Sequence, residues 1–183
     1  MMPVGPLMIE HRLIERVVRI AAREADRLAA GGEPDADLLD RVCDFLRTYA
    51  DHCHHGKEEG ILFRDLTARD LSPEHRRIMD ELASEHVQAR AVVGGLSDAA
   101  AALRRAPVPV ADQALGHLRS LVGLYPAHIA KEDKAFFIPV MAYLTKPEQD
   151  AMLEQCYEFD RQFVHRAYGD IVEALEAEDR VPH

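Results

Sequence analysis

The sequence predicts an all-α protein, an antiparallel up-down-up-down four-helix bundle with an additional C-terminal helix. Three observations carry that expectation. Ala, Leu, Glu and Arg dominate a chain with 6% aromatic residues and no tryptophan, a composition that favours helix over strand. Apolar residues recur near helical spacing through long segments. Glycine and proline signals divide the chain into five such segments, and short connections between long helices favour antiparallel neighbours.

Each element has its own grounds. The first helix is expected from Leu7 to Ala30, with Ile14, Val17, Val18, Ala21 and Leu28 along its apolar stripe, and it stops at Gly31-Gly32. The second follows the turn-forming EPDAD and runs through Leu39, Val42, Leu46 and Tyr49 past Phe63. Gly56 and Gly60 each cost it roughly 1 kcal/mol relative to alanine. The third opens at Ser72-Pro73-Glu74, with serine as N-cap and proline in the first helical position, and reaches Leu103 with a bend at Gly94-Gly95. PVPV, residues 107–110, is the linker into a fourth helix that extends to Leu144. Within it Pro126 removes one backbone hydrogen bond, and a kink there would aim the residues that follow. Thr145 to Glu148 reads as a capping box and opens a fifth helix to Glu176, after which the tail AEDRVPH is expected to fray. The bundle thus occupies residues 1–145, and 146–183 form a helix packed on the bundle or on a partner chain as a homodimer contact.

The 183 residues suffice for one well-buried domain. A formal charge of −10 disfavours nucleic acid and anionic membranes as partners. No apolar run reaches the roughly 18 residues of a membrane span, and MMPVGPLMIEH lacks the cationic start of a secretory signal. Cys43, Cys53 and Cys156 form no CxxC pair, which points to free thiols in a reducing cytoplasm. Ten histidines are an excess for this length, and three of them crowd into HCHHGKEEGILF, residues 52–63.

That stretch has an echo. HHGKEEGILF from His54 and HIAKEDKAFF from His128 share His-x-x-Lys-Glu-acid-x-x-apolar-Phe at a separation of 74 residues. EHRLIERV from Glu10 and EHVQARAV from Glu85 repeat at 75. Helices one and two therefore recur as helices three and four, and their repeated residues should meet around an approximate two-fold axis. Residues four apart share a helix face, so His54 with Glu58, and His128 with Glu132, can each offer an imidazole and a carboxylate. His11 and His86 complete four imidazoles and two carboxylates, a nitrogen–oxygen set suited to two transition-metal ions about 3.5–4 Å apart. His55 and Glu59 offer a competing register. The apolar flank of Ile61, Leu62 and Leu66, and the alignment of Phe63 with Phe137, select His54 and Glu58. His52, His55 and Glu59 are then expected in solvent, with an outer role for one of them as the lesser alternative.

The order His, His-x-x-x-Glu, His, His-x-x-x-Glu over residues 7 to 143 resembles the hemerythrin-like HHE cation-binding domains. The resemblance implies a non-haem di-iron centre held by His11, His54, Glu58, His86, His128 and Glu132, bridged by oxide or hydroxide. Oxygen-carrying hemerythrins add a fifth histidine one turn from that of the third helix. Leu82 and Arg90 stand in those places here, which makes the chain look less like a carrier and more like members linked to sensing or iron-centre repair. The leading expectation is a cytoplasmic di-iron protein that binds or senses O₂, NO or peroxide. A di-iron enzyme reducing peroxide or NO, an iron donor in iron–sulfur repair, and a purely structural bundle are the alternatives. Asp133 competes with Glu132 as the bridging acid, and His165 and Tyr168 are candidates for a missing ligand or a lid.

Overall fold

The structure, a computed structural model, describes residues 1–105, 107–161 and 165–179; the side chains of 107–109, 165–167, 170, 174, 178 and 179 lie outside that description. Every regular element among the described residues is helical. Helix α1 spans Val4–Ala29 and ends where Gly31 takes φ +87°, a left-handed turn that glycine enters without strain. Helix α2 (Ala36–Phe45) starts on Asp35, whose carboxylate accepts the amides of Asp37 and Leu38 at 3.0 Å. The same rod continues through two π-helical stretches, Leu46–His55 and Glu58–Phe63, into α3 (Arg64–Thr67).

Helix α4 (Pro73–Leu103) begins as the sequence predicts, with Ser72 Oγ accepting the His75 amide at 3.2 Å. It runs on through Gly94 and Gly95. Gly95 is there for contact: a Cβ at that position would stand 2.3 Å from the His117 ring. Helix α5 (Pro107–Lys131) already includes PVPV in its first turns, so those residues are no separate linker. It passes through Pro126 into a third π-helical stretch, Glu132–Phe136, and then α6 (Phe137–Val140). Helices α7 (Lys146–Arg161) and α8 (His165–Asp179) complete the chain. Glu148 reaches back to the Thr145 amide at 2.7 Å, the expected capping contact. Residues 177–179 extend α8, and the rest of the tail, His183 included, lies outside the described residues.

Four long rods carry the core: α1, residues 36–67, α4, and residues 107–140. The rod beginning with α5 packs against both α4 and α1, and α2 packs against α4. Apolar side chains form two clusters. One holds Ile14 to Leu28, Leu39 to Ala50, Ala89 to Leu103 and Ala114 to Ile129. The other holds Val4 and Leu7, Ile61 to Leu66, Ile78 to Leu82 and Phe136 to Leu144. Between them lies a band of buried polar residues, His11, His54, His55, Lys57, Glu58, His86, His128 and Glu132, through which every rod passes. Such groups are costly to bury unless paired, protonated or bound to a cation. Helix α7 adds Met152 and Cys156 to the second cluster, while α8 lies along α1, tied by Arg16 to Glu176. No helix among the described residues is long and apolar enough to cross a membrane. All three cysteines are free thiols and buried.

Candidate metal centre

The polar band gathers all six sequence-predicted ligands, each 4% exposed or less. One donor atom each from His11, His54, Glu58 and Glu132 lies within 4.8 Å of the others, and a second such group joins His55, Glu58, His86 and His128. Glu58 belongs to both. Its Oε1 stands 3.2 Å from His54 Nε2 and its Oε2 3.2 Å from His86 Nε2. Glu132 mirrors it, with Oε2 3.1 Å from His11 Nε2 and Oε1 3.3 Å from His128 Nε2. Each carboxylate thus turns one oxygen to a histidine of each group.

These short contacts are not hydrogen bonds. The Nε2 atoms of His11, His54, His86 and His128, and both oxygens of Glu58 and Glu132, are buried without a hydrogen-bond partner. Unpaired buried polar atoms are rare in folded proteins, and here eight of them face a common centre. Cations between them would satisfy the whole set, so the residues present fit a metal pair.

The outward side of each imidazole is fully occupied. His11 Nδ1 donates to Asp133 at 2.8 Å, His54 Nδ1 to Glu10 at 2.8 Å, His86 Nδ1 to Glu59 at 2.7 Å and His128 Nδ1 to Glu85 at 2.8 Å. A carboxylate on Nδ1 fixes the ring, selects the tautomer and makes Nε2 a better donor to a metal. Glu10 and Glu85, the residues that open the EHRLIERV and EHVQARAV echo, hold His54 and His128 in this way. Glu59 and Asp133 occupy equivalent places in the echo, each following its central glutamate by one residue and clasping the histidine of another rod. The repeated acid after Glu58 and Glu132 was the signal for them. Asp133 is therefore spent on His11 and on Arg12, while Glu132 faces the centre. Glu15 pairs with Arg12 at 3.1 Å.

His55 departs from expectation. It is buried, 2% exposed, and its ring stacks on His86 with centroids 3.8 Å apart. Its Nδ1 donates to Asp51 at 3.3 Å. α-Helical winding, in which neighbours point about 100° apart, would place His55 in solvent when His54 faces inward. Leu46–His55 is π-helical, its wider turn takes an additional residue, and both His54 and His55 turn inward. His52 is exposed, as expected. Tyr168, partly buried, packs on Phe45 and Tyr49, with centroids 6.0 and 6.1 Å away, against the first apolar cluster. The side chain of His165 lies outside the described residues.

The electrostatics follow from this crowding. Burial opposes a charged His54, but the Glu58 charge and the Glu10 hydrogen bond outweigh it and raise the imidazole to about 10. His128 rises to about 9, since the Glu132 charge overcomes burial. Burial pushes His55 down to about 4. Glu58, although its burial works the other way, is held well below the carboxylate range by His54 and His86. The aromatic flank repeats as well, with Phe137 stacked on His11 at 5.5 Å and Phe63 on His86 at 5.9 Å. A half-open cavity of about 180 Å³, lined among others by Arg47, Asp51, His55, Arg90 and Tyr125, abuts the three-histidine side.

Rods that converge imidazoles and carboxylates on a buried centre define the class: an all-helical protein organised around a histidine–carboxylate cluster. The hemerythrin HHE cation binding domain matches residues 2–138, and the chain belongs to that family. No curated protein and no solved structure matches it.

Proposed function

We propose that the cluster holds two iron ions and that the protein binds or senses O₂, NO or peroxide there. The observation that carries this reading is the set of eight buried donor atoms left without hydrogen bonds and facing one another. His11 and His54 would carry one metal, His55, His86 and His128 the other, with Glu58 and Glu132 shared between them. Five imidazoles and two bridging carboxylates offer about nine donor atoms, against about twelve for two six-coordinate ions. The remainder leaves room for solvent and one small ligand. His55 thus supplies a fifth imidazole from the second rod, although Leu82 and Arg90 occupy the places that would supply it from the third.

The metal pair supplies the affinity for a small electron-rich ligand and the means to exchange electrons with it. The chain's residues orient the imidazoles, exclude bulk water and set the charge. The alternating order in which successive rods cross the two apolar clusters supports an up-down-up-down bundle, with the C-terminal helices laid over it. The free buried cysteines support a reducing, cytoplasmic setting.

Anaerobic reconstitution with ferrous iron is expected to load about two irons per chain and to give a near-ultraviolet band on oxidation. The His54→Ala/Glu58→Ala double variant is expected to lose that loading. Two irons retained by the double variant would refute the assignment.

A further inference from the structure

A third group of metal-capable side chains, Glu10, Cys53 and Asp160, lies beside the centre. It already has its cation. The Lys57 ammonium, fully buried, donates to both Glu10 and Asp160. Glu10 in turn accepts from His54 Nδ1 at 2.8 Å. A continuous chain of contacts, buried except at the partly exposed Asp160, therefore runs from α7 through Lys57 and Glu10 to His54.

The internal echo shows why α7 takes part. In the second half, Lys131 donates to Glu85, which accepts from His128, and also to Glu81 of the same helix as Glu85. Each lysine thus holds two carboxylates. The residue 75 positions before Glu81 is Pro6, which has none to offer. Asp160 supplies the missing carboxylate from α7, outside residues 2–138 of the family match. The environments differ accordingly: Lys131 is 25% exposed, whereas Lys57 is 0% exposed. Helix α7 is seated closely on the ligand segment itself. A Cβ on Gly56, between His55 and Lys57, would stand 3.0 Å from the Phe159 ring.

We propose that α7 is a working part of the centre and that Asp160 is a positioning residue acting through Lys57 and Glu10 on His54. The metal carried by His11 and His54 is then held firmly only with α7 docked, whereas the metal carried by His86 and His128 is independent of it. By linkage, whatever displaces α7 weakens one metal of the pair, and loading of that metal tightens α7 on the bundle. This rests on the two-metal reading above.

The test uses the full-length chain loaded with ⁵⁷Fe, with Mössbauer spectra and chelator competition as readouts. Asp160→Asn is expected to weaken retention of one iron about tenfold, the lower end of the effect of losing a partner behind a ligating histidine. It should shift one of two quadrupole doublets. Asp160→Glu is expected to restore both properties. Glu81→Gln, the matched change in the other half, should shift the other doublet. Phe159→Ala, which loosens the seat of α7 without touching the relay, should move the same doublet as Asp160→Asn. If Asp160→Asn and Phe159→Ala both keep the unaltered protein's spectrum and retention, the inference is overturned. Failure of the unaltered chain to load two irons would instead overturn the reading of the centre.

Discussion

At the scale of single residues, the site is governed by which face of each imidazole is already satisfied. His11, His54, His86 and His128 each have a carboxylate on Nδ1, so their four Nε2 atoms have nothing but the centre to face. This separates acids that are adjacent in sequence. Glu132→Gln removes a shared donor and is expected to abolish loading of the pair, read as iron per chain. Asp133→Asn leaves the donors in place and loosens only His11. It is expected to retain two-iron stoichiometry with about 10–100-fold weaker affinity, read by chelator competition. His55 and His52 form a second contrast, one buried against His86 and the other in solvent. His55→Ala is expected to change the optical spectrum of the loaded protein, whereas His52→Ala leaves it unaltered.

At the scale of the helix, winding decides what a sequence pattern means. Helix ends were legible, because Asp35, Ser72 and Gly31 act locally through a side-chain oxygen or a left-handed φ. That His11, His54, Glu58, His86, His128 and Glu132 would come together was legible because the echo made each half vouch for the other. His55 was not. An α-helical period puts it on the face of His52 and Arg47, and only the π-helical stretch Leu46–His55 brings it in. No residue pattern inside HCHHG announces i→i+5 bonding. Asp160 was equally illegible, since its partner lies 103 residues away. Gly95 is a milder case, its expected bend being instead a close approach to His117. Gly95→Ala should gain about 1 kcal/mol of helix propensity but press on that ring. Thermal denaturation is therefore expected to show the gain in a His117→Ala background and its loss in the unaltered one.

At the scale of the molecule, a polar layer separates two apolar clusters, and its stability depends on what neutralises it. In the metal-free protein the charges of Glu58 and Glu132 favour the protonated forms of His54 and His128. Metal binding has to displace those protons. Loading near pH 7 is expected to release protons, measurable in weakly buffered solution, and affinity should fall as the pH is lowered. Metal at about 100 times its dissociation constant stabilises the native state by about 2.7 kcal/mol. Chelation should therefore lower Tm by about 5–10 °C for a chain of this size, while a bundle indifferent to metal would show no change. The relay through Lys57 adds an asymmetry with a further consequence. Residues 72–144 carry their own histidines, central glutamate, lysine and both of its acidic partners, and among the described residues that lysine takes neither partner from the C-terminal helices. As an isolated hairpin that half is the one equipped to pair with itself and enclose two ions. Residues 1–71, cut off from Asp160, would bring into the seam two buried ammonium groups that each keep only Glu10 of their two carboxylate partners, and should pair less readily.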